Sequence, residues 1–180
     1  IPAVGMRLWA EERKSGTVEL LMTLPVSTTE AVLGKFVAAW FFTGIALLLT
    51  FPIWITVNYL GSPDNGVIFA GYVGSFLMAG AFLAIGSFVS ALTRNQVIAF
   101  VISAAACFLF MMSGLEPVQS AFRGWASAFV VDLVASLSFL THFDAITKGV
   151  FDLRDFIYLS SVIGVFLFAN VVVVDLKKGS

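Results

Sequence analysis

Charged side chains are scarce in this 180-residue sequence, at 12% of residues against about 25% in a typical soluble domain. Hydrophobic residues make up 59% and aromatic residues 14%, and the mean hydropathy is +1.00. The apolar residues form long uninterrupted runs, which a soluble core of amphipathic elements does not require. The composition therefore predicts an all-α membrane protein, a bundle of transmembrane helices. The net charge of -1 gives no reason to expect nucleic acid as a partner.

The residues needed for several kinds of site are also missing. Cys107 is the single cysteine, which excludes an internal disulfide, and His142 is the single histidine, so the chain alone cannot form a His-based zinc site. No Gly-x-x-x-x-Gly-Lys-Ser or -Thr phosphate loop occurs, so any ATP must be bound and hydrolysed by another chain. We therefore predict no catalytic, cofactor-binding or metal-binding residue in this chain.

Long apolar runs are what the sequence has instead. Four of them are long enough to cross about 30 Å of hydrocarbon as helices, at about 36–60, 67–92, 97–115 and 156–174, within a predicted transmembrane domain at 31–180. Pro52 is expected to kink the first run. Small residues in the second run predict a face on which another helix packs closely. These residues are Gly71, Ser75, Ala79, Gly86 and Ser90.

The region 116–155 is predicted to lie outside the membrane as a cap between the last two runs. Its stretch 124–140 is only about 17 residues long and carries Asp132 near its middle, where a charge in hydrocarbon costs at least about 2.5 kcal/mol. We interpret that stretch as a non-spanning helix, either in the interface or as half of a re-entrant hairpin. With four crossings, seven basic residues lie on the same side as the N-terminal segment and three on the other, which favours a cytosolic N-terminal segment. A fifth crossing at 124–140 gives the same count.

The segment 7–30 precedes the first complete run and has an amphipathic, charged pattern. Ser15-Gly16-Thr17 interrupts a first helix, and Thr17 or Ser15 is expected to cap a second that ends at Pro25. Ser27 and Glu30 have the spacing of a capping box for the helix that follows. Solvated ion pairs are expected between Glu11 and Lys14 and between Glu12 and Arg7.

Two short helices at an angle, continuous with membrane spans, are able to transmit a force applied from below. The same pattern is equally compatible with an ordinary charged cytosolic loop. Residues 1–6 are apolar without the features of a signal peptide, and we interpret them as the end of a truncated transmembrane helix.

The run Glu-Glu-Arg-Lys-Ser-Gly-Thr at 11–17, followed by Glu-Leu-Leu at 19–21 and Leu-Pro-Val-Ser at 24–27, closely resembles the signature of type-2 ABC transporter permeases. The likeness is greatest to the gliding-motility and copper-processing branch. In that family the permease has six spans, and the signature follows the second span and contacts the nucleotide-binding subunit. The resemblance implies that 7–30 are cytosolic coupling helices and that the four runs are spans three to six.

The same resemblance implies the partners of the chain. They are a cytosolic ABC ATPase that holds ATP and magnesium, a second permease copy in a homodimer or heterodimer, and membrane lipid. It further implies a transport subunit that is not itself an enzyme, with export as the direction and the bacterial inner membrane as the location. The predicted ATPase-coupling residues are Glu11, Glu12, Arg13, Lys14, Ser15, Gly16, Thr17, Glu19, Leu20, Leu24 and Pro25. The alternatives are a membrane scaffold and a lipid-acting enzyme.

Overall fold

The computed structural model describes residues 2–113, 115–136, 144 and 153–178. Within these ranges the regular secondary structure is entirely helical, as the composition predicts. The helices are α1 Pro2–Gly5, α2 Ala10–Ser15, α3 Thr17–Thr23, α4 Thr28–Leu48, α5 Phe51–Leu60, α6 Asn65–Leu92, α7 Gln96–Met112, α8 Glu116–Arg123, α9 Ala128–Ser136 and α10 Leu153–Lys178.

Three stretches of the described residues are long and apolar enough to cross a membrane: Thr28–Leu60, which joins α4 and α5, then α6, and α10 as far as Lys177. The third predicted run becomes α7, a helix of 17 residues. It passes the same test together with α8, which follows after a bend of 75°. The structure therefore has three to four candidate spans, consistent with the predicted helical membrane bundle.

The break in the first span falls where the sequence predicts a kink, and its geometry is specific. Helix α4 ends at Leu48, and α5 begins at Phe51 with Pro52 in its first turn. A proline there forfeits no helical hydrogen bond, because the first amides of a helix have no partner within it. The amide of Thr50 donates to the carbonyl of Leu47 across the break. The interruption is thus a tight turn between two helices.

Helix α6 forms the centre of the bundle. Half of its membrane-length window is buried, against 11% for the window in Thr28–Leu60 and 17% for that in α10. Helices α1, α4, α7 and α10 all pack against it. Small residues make this possible, because α6 buries mainly alanine, glycine and serine, and backbones approach closely only over such side chains.

Three basic residues, Arg13, Arg94 and Lys177, meet at one end of the bundle. The Lys177 amine near the end of α10 donates to the carbonyls of Ala91 and Leu92 at the end of α6. Because α7 begins just after, at Gln96, the chain enters α7 and leaves α10 at this same end. Helices α7 and α10 therefore meet the region between them at the opposite end, which favours the topology with four crossings.

The two described helices of the intervening region are short. Helices α8 and α9 have 8 and 9 residues, and at 1.5 Å per residue neither reaches half of a bilayer of about 30 Å. Asp132, on α9, is exposed. The rest of the predicted external region, including His142, lies outside the described residues.

Candidate functional site

The segment at 7–26, here called the connector, folds as the two short helices that its sequence predicts. Gly16 separates α2 from α3 with φ of 77°, a left-handed conformation that glycine adopts without a steric cost. Glu11 and Glu12 occupy the first turn of α2, and Arg13 and Lys14 the last. This order places negative charge at the positive end of the helix dipole and positive charge at its negative end, which stabilises a helix this short.

The predicted capping of α3 by Thr17 or Ser15 is wrong. The Ser15 hydroxyl donates to the carbonyls of Glu11 at 3.0 Å and Glu12 at 3.3 Å, and the Thr17 hydroxyl reaches the Glu12 carbonyl at 3.4 Å. No side chain caps α3. Because Gly16 ends α2, the last carbonyls of α2 lack helical partners and take the nearby hydroxyls instead.

The capping box before the first span is confirmed. The Glu30 amide donates to Ser27 Oγ at 3.2 Å, and the Ser27 amide donates to Glu30 Oε2 at 2.9 Å. The reciprocal pair satisfies two amides that the start of α4 would leave unpaired. It also fixes the point at which the connector turns into the span.

The connector is attached to the central helix through Ser90. The Ser90 hydroxyl accepts the amides of Trp9 at 3.0 Å and Ala10 at 2.9 Å, and it donates to the carbonyl of Met6 at 2.9 Å. Trp9, Ala10 and Ser90 are fully buried. A side chain of α6 thus fills the capping role at the start of α2, where helix amides need an acceptor from elsewhere.

A second attachment joins α2 to the first span. Glu12 forms an ion pair with Lys35 of α4, and the Lys35 amine also lies 5.1 Å from the centre of the Trp9 ring. The predicted pairing of Glu12 with Arg7 is therefore wrong, because Lys35 lies within reach once α2 folds back against α4. Among the described residues no ion pair joins Glu11 to Lys14.

Neighbouring helices approach some of the predicted small residues of α6 closely and others not. A Cβ placed on Gly86 would lie 3.3 Å from the Cα of Gly5, so α1 and α6 approach closely there. Ser75 and Ala79 line an apolar groove of about 400 Å³ beside α4. At Gly71 no described atom lies within 4 Å of such a Cβ, so the close packing predicted there is not found. The tight contact that the sequence does not predict is at Gly80, whose Cβ position lies 2.7 Å from the Trp40 ring.

The outer surface of the connector carries most of the predicted coupling residues. Glu12 and Arg13 are partly buried, and the exposed ones are Glu11, Lys14, Ser15, Gly16, Thr17, Glu19, Leu20, Leu24 and Pro25. Leu21 packs against the core, whereas Leu20 is 68% exposed and Leu24 is 54% exposed. Two large apolar side chains thus lie beside charged groups on a surface outside the spans, a composition typical of a contact with another protein.

Sequence reasoning missed the residues that hold the connector in place. Ser90 is predicted only as a packing residue, and neither Trp9 nor Lys35 is singled out as an anchor. The one available signal is Trp9 itself, a large aromatic next to a small alanine at the start of a charged amphipathic segment. Its partners lie 26 and 81 residues away, so local periodicity cannot identify them.

The structure also bears on the metal and thiol groups considered in the sequence. No group of three or more histidine, cysteine, aspartate or glutamate side chains capable of holding a metal occurs among them. Cys107 is buried in α7, as its position in an apolar run predicts. His142 lies outside the described residues.

Comparison with known proteins identifies the family of this chain. A stretch of 107 residues, 58% of this chain, is 33% identical to the probable multidrug ABC transporter permease YbhS of Escherichia coli strain K12. The same values hold for its counterpart in strain O157:H7. The match covers 28% of the length of these relatives. No solved structure matches the chain. The family model described as ABC-2 family transporter protein matches residues 2–175, so this multi-pass membrane chain belongs to the ABC-2 transporter family.

Proposed function

We propose that this chain forms the membrane part of a permease subunit in an ATP-driven transporter, and that its connector receives the movement of a separate cytosolic ATPase. The observation that carries the proposal is the double anchoring of α2, to α6 through Ser90 and to α4 through Glu12 and Lys35. A helix held this way cannot shift without moving the spans to which it is attached, because packed helices move as rigid bodies.

The exposed side of the connector is the proposed docking surface for the ATPase. Glu11, Lys14 and Glu19 supply charge of both signs, and Leu20 and Leu24 supply apolar area. ATP and magnesium belong to the partner in this proposal, because the chain contains no phosphate-binding loop. Closure of the ATPase pair around ATP would push on the connector and tilt α4 and α6.

The proposal extends to the assembly. Two permease copies, identical or related, pair in the bacterial inner membrane around the substrate path and act as an exporter. The partners are then the ATPase, the second permease and lipid. Family membership supports this arrangement, and so does the bundle itself, since many apolar side chains of α4, α5 and α10 are exposed to whatever surrounds the chain.

A lipid-acting enzyme is the less favoured alternative. Such an enzyme needs an acid or base beside a nucleophile at one depth of the membrane. Among the described residues, the polar side chains buried on α6, α7 and α10 are Ser87, Ser90, Ser103, Asp155 and Asn170, and the Asn170 amide donates to the Ser87 hydroxyl. Asp155 is the one carboxylate of this set and lies in the first turn of α10, whereas Ser87, Ser103 and Asn170 offer no group able to take up a proton near neutral pH.

The proposal is tested by weakening the docking surface in the intact permease, expressed with its ATPase. Leu20→Ala combined with Leu24→Ala, and separately Glu11→Lys, should reduce recovery of the ATPase with the permease and uncouple ATP hydrolysis from transport. The permease should still reach the membrane, because these side chains are exposed. Leu153→Ala is the matched control, since Leu153 is 71% exposed at the far end of α10. Full ATPase recovery and normal coupling in both variants would contradict the assignment.

A further inference from the structure

A basic cavity lies where the connector meets the ends of the spans. It has a volume of about 470 Å³, and Arg13 of α2, Arg94 of the loop between α6 and α7, and Lys177 of α10 contribute to its wall. Glu19 of α3 also lines it, as the acidic side chain among these lining residues. A neighbouring cavity of about 310 Å³ shares Arg94 and adds Lys14.

The described lining of the cavity holds three basic side chains and one acidic side chain. The Lys177 amine donates to the carbonyls of Ala91 and Leu92, which keeps its charge at the cavity. No ion pair among the described residues involves Arg13 or Arg94. Burial lowers the pKa of Arg13, and the nearby charge of Arg94 lowers that pKa further. A guanidinium in this position would be stabilised by an anion, because an opposite charge close by favours its charged form.

The position of the cavity indicates which kind of anion binds in it. Its wall includes Leu92, the last residue of α6, and it lies at the end of the bundle where α6 and α10 end and α7 begins. In the orientation of the proposed function this is the level of the cytosolic headgroups. Negatively charged lipids are concentrated there, and basic pockets between spans at this depth bind lipid headgroups.

We infer that this cavity binds the phosphodiester headgroup of an anionic phospholipid of the cytosolic leaflet. Arginine is well suited to the task, because its planar guanidinium donates two parallel hydrogen bonds to phosphate oxygens. Leu92 provides an apolar edge on which the start of an acyl chain rests. The bound lipid joins α2 and α3 to the ends of α6 and α10, and so couples lipid composition to the stiffness of the connector. A carboxylate of the ATPase is a less suitable occupant, because Arg13 is partly buried, whereas Glu11 and Lys14 on the same helix are exposed.

The test measures lipid binding by the intact permease in the absence of ATPase, so that its outcome is independent of the coupling assignment. Detergent-solubilised permease is titrated with phosphatidylglycerol or phosphatidylcholine, and bound lipid is counted by native mass spectrometry. Wild type should bind phosphatidylglycerol more tightly than phosphatidylcholine. Arg13→Ala and Arg94→Ala should each weaken phosphatidylglycerol binding roughly fivefold, as expected for one basic group near a charged headgroup.

Two further variants keep the result interpretable. Arg7→Ala removes an exposed positive charge from the same connector outside the cavity and should leave binding unchanged. Glu19→Gln removes the anion that faces the ligand and should strengthen binding severalfold, an effect that damage to the fold cannot produce. Equal binding by wild type, Arg13→Ala and Arg94→Ala would overturn the inference. So would displacement of the lipid by inorganic phosphate at equal concentration, which indicates a site for free anions.

Discussion

Ser90 makes three hydrogen bonds at the junction between the connector and α6. Its hydroxyl accepts two amides and donates to one carbonyl, and Trp9 and Ala10 are completely buried. Ser90→Ala would leave these backbone groups without a partner in a place that water does not reach. Since a buried polar group left unpaired costs about 1–3 kcal/mol, we expect this variant to lower the free energy of unfolding by about that amount.

Thermal or denaturant unfolding of the solubilised permease measures the loss. Ser161→Ala is the matched control, because the Ser161 hydroxyl only donates to the carbonyl of Ile157 on its own helix and is exposed. It should change stability by a few tenths of a kcal/mol at most. Equal effects of the two substitutions would show that the hydroxyl of Ser90 does not hold the connector.

The contrast between Ser27 and Ser90 shows what sequence can reveal about single residues. The Ser27 capping box is predicted because both of its members lie within one turn of α4. The role of Ser90 cannot be predicted, because it depends on α1 and α6 meeting at Gly5 and Gly86, across 81 positions of chain. The predicted capping of α3 by Thr17 or Ser15 is wrong for a related reason. Two adjacent helix ends compete for the same hydroxyls, and these donate to carbonyls of α2.

Among the helices, the link between α2 and α4 depends on one ion pair. Glu12→Lys places two amines opposite each other, so we expect it to loosen α2 from α4 and reduce coupling of ATP hydrolysis to transport. The pair is partly buried and should contribute about 1 kcal/mol. Combining Glu12→Lys with Lys35→Glu restores opposite charges and should restore coupling.

Glu11→Lys provides the control for that experiment. Glu11 is exposed and Lys35 forms its ion pair with Glu12, so adding Lys35→Glu should not rescue Glu11→Lys. A double-mutant cycle on ATPase coupling separates the two cases. Rescue of both variants, or of neither, would contradict a specific Glu12 to Lys35 link.

The packing face of α6 gives a second prediction for the helices. Gly86→Ala adds a methyl group 3.3 Å from the Cα of Gly5 and must push α1 away, so we expect a loss of about 1–3 kcal/mol. Gly71→Ala adds the same group into space that the described residues leave open, and should be neutral or stabilising by up to about 1 kcal/mol through higher helix propensity. Unfolding measurements on the two variants compare them. Equal destabilisation by both would mean that the stripe is packed along its whole length.

The existence of the helices could be predicted from the sequence better than their contacts. Apolar runs at 67–92 and 156–174 became α6 and α10, because in a bilayer a helix is the economical way to pair the backbone of such a run. Four-residue spacing of small side chains identified α6 as a packing helix but not which of its faces each neighbour occupies. That choice depends on large partners such as Trp40, whose ring lies over Gly80 and whose indole donates to the Phe76 carbonyl.

At the scale of the whole molecule, the distribution of basic residues does not determine how many times the chain crosses the membrane. Four and five crossings give the same seven-to-three distribution. The structure adds a physical constraint, because Lys177 reaches the end of α6 and shares a cavity with Arg13 of the connector. The end of α10 and the connector are therefore on one side. Helix α10 has 26 residues and a length of about 39 Å, long enough to cross the membrane, so we expect Leu153 at its start to lie on the other side.

Single cysteines labelled from outside the cell test this arrangement. In a background with Cys107→Ser, exposed positions are replaced one at a time as Ser15→Cys, Ser62→Cys, Leu153→Cys and Leu176→Cys. With four crossings, the thiols at 62 and 153 react with a membrane-impermeant maleimide on intact spheroplasts, and those at 15 and 176 react only after permeabilisation. With five crossings, 153 and 176 exchange their behaviour while 15 and 62 keep theirs. Positions 15 and 62 thus serve as internal references. Labelling at 176 from outside would refute both the four-crossing topology and the shared cavity.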